Sequence, residues 1–261
     1  MTRPPTRSGA SSSESLCIIG TLKSCFREKF GTPRQPHLVP GATATLKIAR
    51  QYQPEQSLVG LERFSHVWLL SYFHLNTNTR FSAKVHPPRL QGETIGLFAS
   101  RSPHRPSPIG LSVARLVKVD GDTLHLSCID LVDGTPILDV KPYIPESDSF
   151  PHASAGWTKD AAFPSLKVAF EPQALEDIVL AEKRLKTKQL RQLLTDILSQ
   201  DLRNPRDRSQ LKDGVELGFF LHDFDAHYVV RDGVAIVLKL ITGTTMHKKE
   251  RRVSPKRVAL A

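Results

Sequence analysis

Residues 111–129 read LSVARLVKVDGDTLHLSCI, and this stretch decides the fold class. Two segments rich in β-forming residues, 111–119 and 123–129, flank Asp120-Gly121-Asp122, which is a strong β-hairpin signal. Further short segments with strand character lie at residues 16–22, 42–49, 66–74, 94–99 and 136–140. Repeated short strands separated by turn residues favour an all-β barrel or sandwich over a βαβ unit.

The character of the chain changes after about residue 160. Apolar residues recur at helical spacing over residues 174–200, and the spacing slips near Thr187, which predicts two helices. Residues 215–221, 226–230 and 234–241 then resemble strands. We therefore expect a β domain over residues 16–160 and a smaller α+β C-terminal domain over 161–245. A disordered tail is expected at 1–15 and a basic tail at 246–261.

Composition restricts the partners and the compartment. Among 261 residues, 36 Lys and Arg stand against 26 Asp and Glu, a formal charge of +10. This excess is consistent with a polyanionic partner such as nucleic acid, or with an ordinary solvated basic surface. No run of 18 apolar residues is present and residues 1–15 lack a signal-peptide core, so no membrane segment is expected. Three cysteines without a CxxC pair predict a reduced, cytoplasmic protein without a metal site.

Three loops have a composition suited to binding, whereas glycine-rich cofactor motifs, a P-loop, a nucleophile elbow and an HExxH motif are missing from the sequence. Residues 30–36 place Arg34 and Gln35 between two prolines, which stiffen the loop. Residues 101–110 hold three prolines and two arginines, which suits binding of an anion. Residues 130–136 present Asp130 and Asp133 before a glycine turn. The alternatives are an ordinary surface turn, a rigid solvent loop and plain turn chemistry.

The motifs taken together resemble one family, the tRNA N(6)-threonylcarbamoyladenosine methyltransferases of the TsaA/YaeB type. The resemblance covers residues 16–241 and rests on PRQP (33–36), LERFSHVWLL (61–70), PPRL (87–90), FASRSPHRPSPIGLSVARL (98–116), DLVDGTPILDVKPYIP (130–145) and LHDF (221–224). The resemblance implies a mainly β fold with an N-terminal β-barrel-like domain. It also implies a homodimer that binds S-adenosyl-L-methionine and methylates the N(6) amine of threonylcarbamoyladenosine beside the anticodon, chiefly in threonine tRNA.

The resemblance also implies site residues. Carried over position by position, the cofactor-binding residues are Pro33, Arg34, Gln35, His74, Leu75, Arg101, Leu111, Asp130, Leu131, Val132 and Asp133. The sequence departs from the family pattern at Ser107, at Leu75 and over residues 203–208. Lys141 and Tyr143 follow the Asp loop on one strand face and are candidate catalytic residues near the acceptor. Basic residues expected to meet the tRNA anticodon loop are Arg80, Lys84, Arg89, Arg105, Arg203 and Arg206.

Two other functions are compatible with the same residues. The first is a non-enzymatic barrel that binds S-adenosylmethionine or RNA for regulation. The second is a hydrolase that uses Asp130, Asp133 and His74, although no nucleophile and base motif supports it.

Overall fold

The computed structural model describes residues 16–77, 80–90, 92–161, 165–203, 205–210 and 213–243. Both tails expected from the sequence lie outside these residues. The strands are β1 (Gly20–Ser24), β2 (Thr43–Ile48), β3 (His66–Tyr72), β4 (Lys84–Val85), β5 (Ile95–Gly96), β6 (Ile109–Asp120), β7 (Thr123–Ser127), β8 (Pro136–Pro142), β9 (Lys167–Phe170), β10 (Leu217–Leu221), β11 (Phe224–Arg231) and β12 (Val234–Thr242). The α-helices are α1 (Pro54–Ser57), α2 (Pro145–Asp148), α3 (Pro172–Leu185), α4 (Leu190–Ser199) and α5 (Pro205–Gln210).

Six strands close into an antiparallel barrel in the order β1-β2-β7-β6-β3-β8, with β8 pairing with both β1 and β3. The barrel confirms the expected mainly β fold class and excludes the sandwich. Alternation over residues 109–117 of β6 turns Ser112, Ala114 and Leu116 inward, where they are buried, and leaves Leu111 and Val117 on the outer wall. The strand pattern read from the sequence therefore fixes which side chains fill the barrel.

The loops that carry the sequence motifs all leave the same end of the barrel, here called the loop end. Strands β1, β3 and β7 run toward this end, and β2, β6 and β8 run away from it. The connections 25–42, 73–108 and 128–135 therefore meet there. Residues far apart in the sequence are brought together because, in antiparallel strand pairs, the end of one strand lies beside the start of the next.

The C-terminal part contains a four-stranded sheet in the order β10-β11-β12-β9, with α3 packed against β12. The expected division of the helical segment is confirmed: α3 ends at Leu185, Lys186 takes a left-handed conformation at φ 53°, and α4 begins at Leu190. The strand expected over residues 94–99 is present only as the two-residue strand β5, which is followed by a 3-10 turn and lies outside the barrel. The parallel strand β9 was not predicted from the sequence.

The barrel and the C-terminal sheet share one continuous core. Phe26 forms a β-bridge with Leu221, the His222 N–H donates to the Cys25 carbonyl at 2.7 Å, and the Phe220 N–H donates to Glu28 Oε1 at 3.1 Å. The boundary at residues 160/161 stays a prediction. Among the described helices, none combines the length and the apolar character needed to cross a membrane.

Candidate functional site

A polar cluster joins two of the predicted loops at the loop end. Arg101 Nη1 donates to Gln35 Oε1 at 2.8 Å, which ties the residue 101–110 loop to the residue 30–36 loop. Arg101 is also close enough to Asp130 to lower the pKa of that carboxyl through its charge. The structure thus brings together Gln35, Arg101 and Asp130, three residues that lie up to 95 positions apart.

Asp130 is the acid of this cluster, and its pKa is raised. Burial raises its pKa to about 6, against the hydrogen bond from Ser112 and the charge of Arg101, which both lower it. Ser112 Oγ donates to Asp130 Oδ1 at 2.6 Å from inside the barrel wall. A carboxyl held away from water in this way, beside a cation and a hydroxyl, is characteristic of a binding site rather than of a turn.

The Asp133 carboxylate, unlike that of Asp130, bonds to residues at the end of β1 and just after it. Its Oδ1 accepts from the Ser24 N–H at 3.0 Å and its Oδ2 accepts from Arg27 Nη1 at 2.9 Å. The Asp133 N–H in turn donates to the Phe26 carbonyl at 2.7 Å. With both oxygens engaged, this carboxylate fastens the Asp loop to the end of β1.

The remaining predicted cofactor residues frame this cluster. Lys29 Nζ donates to the Leu75 carbonyl at 2.6 Å, which holds the turn after β3 beside the residue 30–36 loop. Leu75 and Leu111 expose 40% and 56% of their surface, so they offer apolar contact area next to a polar cluster. The others are Pro33 and Leu131, which are buried, and His74 and Val132, which are half-buried.

The Arg34 side chain leaves the cluster. It extends toward the C-terminal part, where burial and the nearby charge of Arg208 lower its pKa and Asp201 raises it. The main chain of Arg34 still contacts the cluster, since its carbonyl accepts a hydrogen bond from Gln35 Nε2 at 2.6 Å.

The structure places Lys141 and Tyr143 far from the loop end. β8 starts at the Asp loop and runs away from it, so Lys141 lies about 17 Å further along the strand at roughly 3.3 Å per residue. Lys141 pairs with Asp139 at 2.7 Å, and the Tyr143 ring packs near His66 and Trp68 at the opposite end. Within a single chain these two side chains therefore lie away from the Gln35–Arg101–Asp130 cluster, and their role near the acceptor stays a prediction.

The predicted RNA contacts fall into two groups. Arg80 and Lys84 are exposed, and half-buried Arg105 donates to the Ser100 carbonyl at 2.8 Å. Arg89 instead donates to the carbonyls of Ala161 and Thr158. The Arg203 side chain is 13% exposed and forms two hydrogen bonds with Asp201, so both of these arginines are engaged by other residues of the chain. The Arg206 side chain lies outside what the structure describes.

Ser112 is the site residue that the sequence reasoning missed. The signal was present, because the alternation along residues 109–119 places a hydroxyl at a position that faces the core. Within the residues that the structure covers, no group of three or more His, Cys, Asp or Glu side chains could hold a metal ion.

Fold and site together define a closed antiparallel β-barrel protein with a buried acid and an arginine gathered by three loops at one end. A family model for the tRNA-methyltransferase O N-terminal domain matches residues 21–149. The tRNA (adenine(37)-N6)-methyltransferase of Escherichia coli K12 is 39% identical over 219 residues, which cover 82% of this chain and 92% of that protein. The crystal structure of TrmO from Pseudomonas aeruginosa superposes with a TM-score of 0.74 and 36% identity over 87% of this chain and 98% of that one.

The chain therefore belongs to the tRNA-methyltransferase O family, which confirms the resemblance read from the motifs. A mouse protein named tRNA (adenine(37)-N6)-methyltransferase is 54% identical over 133 residues. That match covers 50% of this chain and 31% of the mouse protein, so the chain spans about a third of that relative's length.

Proposed function

We propose that this protein is a tRNA methyltransferase that moves a methyl group from S-adenosyl-L-methionine to the N(6) amine of threonylcarbamoyladenosine beside the anticodon, chiefly in threonine tRNA. The observation that carries this proposal is the Gln35–Arg101–Asp130 cluster at the loop end of a barrel of this family. The names of the relatives from E. coli and mouse support the same reaction class.

The residues of the cluster fit the proposed methyl donor. S-adenosylmethionine joins a carboxylate and an ammonium to a sulfonium, a ribose and an adenine. A buried carboxyl at Asp130 suits ribose hydroxyls or a cation, and a guanidinium at Arg101 suits a carboxylate. The exposed apolar surface of Leu75 and Leu111 suits the adenine. Pro33, His74, Leu131, Val132 and Asp133 then shape and fasten the loops.

Alignment is the main contribution that we assign to this chain's residues. When bound, S-adenosylmethionine supplies an electrophilic methyl group for in-line displacement. Correct alignment of donor and acceptor can contribute about 7–11 kcal/mol to lowering a barrier. Three loops tied together by Arg101, Lys29 and Asp133 provide the rigidity that such alignment needs.

We assign the RNA contacts to Arg80, Lys84 and Arg105, which lie in the long connection that leaves β3 at the loop end. Arginines and lysines near the site can meet phosphates of the anticodon loop without reading the base sequence. Arg89 and Arg203 contribute indirectly, through the fold that positions this connection.

A homodimer in a reduced cytoplasmic setting completes the proposal. Tyr72 and Ile109, paired across β3 and β6, expose 37% and 38% of their surface on the outer wall beside Leu111. We propose that a second copy covers this apolar patch, and sedimentation velocity would reveal the dimer. Cys17, Cys25 and Cys128 are free thiols, in keeping with a reducing compartment.

The test is transfer of labelled methyl from S-adenosylmethionine to threonine tRNA with and without the threonylcarbamoyl modification. We expect incorporation only into the modified tRNA. Cofactor binding without transfer to either tRNA would instead support the non-enzymatic binder.

The position of Lys141 and Tyr143 gives a second prediction. The Tyr143→Phe and Lys141→Ala variants should retain methyl transfer within about twofold of the unchanged protein, because both side chains lie far from the cluster within one chain. Initial rates at saturating cofactor and tRNA measure this. A drop of tenfold or more at wild-type cofactor affinity would restore these residues to the site.

A further inference from the structure

A second polar site lies where the residue 30–36 loop meets the C-terminal part. A cavity of about 150 Å³ is lined there by Lys29, Thr32 and Arg34 from the barrel side and by Gln200 and Leu202 from the other side. We call it the junction cavity. Both of its charged lining residues are cations, and Lys29 uses one of its three N–H groups for the Leu75 carbonyl.

Arg34 is the residue that makes the junction cavity unusual. Its Nη1 atom is buried and has no hydrogen-bond partner among the residues that the structure covers. A buried donor without an acceptor is unfavourable, so native proteins nearly always supply one. Arg208 lies close enough for its charge to oppose that of Arg34, which adds a repulsion that an anion would relieve.

Asp201, the carboxylate whose charge acts on Arg34, is already paired with other arginines. Asp201 accepts from Arg203 Nε at 2.8 Å and from Arg203 Nη2 at 3.0 Å, and Arg208 Nε lies 3.9 Å from it. Arg208 Nε and the Tyr228 hydroxyl are also buried without a hydrogen-bond partner in the described part of the chain. Two guanidinium nitrogens, Arg34 Nη1 and Arg208 Nε, are thus buried here without an acceptor among the described residues.

We propose that the junction cavity binds an oxyanion, a phosphate group held by Arg34 and Lys29. Guanidinium and ammonium groups are the usual protein ligands of phosphate, and the cavity of about 150 Å³ beside the buried Arg34 donor has room for such an anion. Arg34 and Gln35 are consecutive residues, but Gln35 Oε1 accepts from Arg101, whereas the Arg34 side chain lies near Arg208 and Asp201. The proposed site is therefore separate from the Gln35–Arg101–Asp130 cluster.

A phosphate bound at Arg34 would also act on the Gln35–Arg101 hydrogen bond of the neighbouring cluster. Gln35 Nε2 donates to the Arg34 carbonyl while Gln35 Oε1 accepts from Arg101, so fixing Arg34 also fixes the residue that holds Arg101. The phosphate has two possible sources, inorganic phosphate or a phosphodiester of the RNA. The second source rests on the proposed function, and the first does not.

Calorimetric titration with inorganic phosphate, at ionic strength matched with chloride, tests the site. The unchanged protein should bind phosphate, and Arg34→Gln should bind it about tenfold or more weakly, the usual cost of losing a hydrogen bond between charged groups. Lys29→Gln alters an exposed side chain and should weaken binding several-fold even if Arg34→Gln folds poorly. Lys167→Gln, an exposed lysine on β9, is the matched control and should bind normally.

Competition then identifies the source. Displacement of phosphate by tRNA assigns the site to a phosphodiester, and phosphate binding that tRNA leaves unchanged assigns it to the free anion. The proposal is wrong if the unchanged protein does not bind phosphate, or if saturating S-adenosylmethionine displaces it, since the cavity would then belong to the methyl-donor site. None of these readouts depends on methyl transfer.

Discussion

Asp130→Asn should make the folded protein more stable at pH 8 while weakening S-adenosylmethionine binding. Burial raises the pKa of Asp130 from 3.8 to about 6, so the folded state resists ionisation of this carboxyl. A difference of roughly two between the Asp130 pKa values of the folded and unfolded states corresponds to about 3 kcal/mol at most. Because the side chain keeps some contact with solvent, we expect a gain of about 1–3 kcal/mol in the free energy of unfolding from the uncharged isostere.

The sign of the pH dependence follows from the direction of the shift. Between pH 3.8 and about 6 the folded state binds more protons at Asp130 than the unfolded state, so this group's contribution to stability falls as pH rises. The advantage of Asp130→Asn should therefore be complete above pH 6 and vanish near pH 4. Denaturant unfolding of both proteins across this range measures the difference.

The affinity for S-adenosylmethionine should fall in Asp130→Asn, whereas the stability of the folded protein should rise. The carboxylate is the form that accepts from ribose hydroxyls or faces a cation, so cofactor affinity should decline as pH falls through 6. In Asp130→Asn it should be about 10–100-fold weaker at pH 8. Asp139→Asn changes a half-exposed acid on β8 that pairs with Lys141 away from the cluster, and it should change neither property. Normal affinity in Asp130→Asn would remove Asp130 from the site.

Arg101→Ala should reduce cofactor affinity by about 10–150-fold, the range expected when a charge-assisted hydrogen bond to a ligand is lost. Arg101 is exposed and bonds to Gln35 across two loops, so the fold should survive its removal. Its loss also frees Gln35 and lets the residue 30–36 loop move, which adds to the cost of ordering that loop on a ligand.

Two variants sharpen this experiment. Arg101→Lys keeps the charge but cannot reproduce the planar fork of the guanidinium, so most of the loss should remain. Arg50→Ala removes an exposed arginine at the opposite end of the barrel and should leave calorimetric affinity unchanged. Affinity in Arg101→Ala equal to that in Arg50→Ala would contradict the assigned role.

Much of the fold could be predicted because local patterns carry it. The alternation in β6 and β7, the Asp120-Gly121-Asp122 turn and the slip at Thr187 are local signals, and each has its counterpart in the structure. The place of β8 between β1 and β3 could not be predicted, since long-range pairing leaves no local trace. The four-residue strand β9 was too short to show a period.

The site was predicted in part, for a related reason. Composition marked the loops of Gln35, Arg101 and Asp130, but it could not distinguish an arginine that faces a ligand from one that holds the fold. Arg89 and Arg203 find their partners in main-chain carbonyls and in Asp201, and such partners are defined only by the folded chain. Sequence proximity of Lys141 and Tyr143 to the Asp loop did not reveal that β8 runs away from that loop, which separates both side chains from the cluster.

The contact between Phe26 and Leu221 has a consequence for aggregation. A closed barrel has no edge strand, so in the described part of the chain the edges belong to the short β4-β5 pair and to the sheet β10-β11-β12-β9. Along β10, the bridge to Phe26 and the hydrogen bonds of Phe220 and His222 to the barrel occupy donors that a foreign strand would otherwise pair with. The barrel thereby shields the β10 edge of its neighbour from edge-to-edge association between molecules.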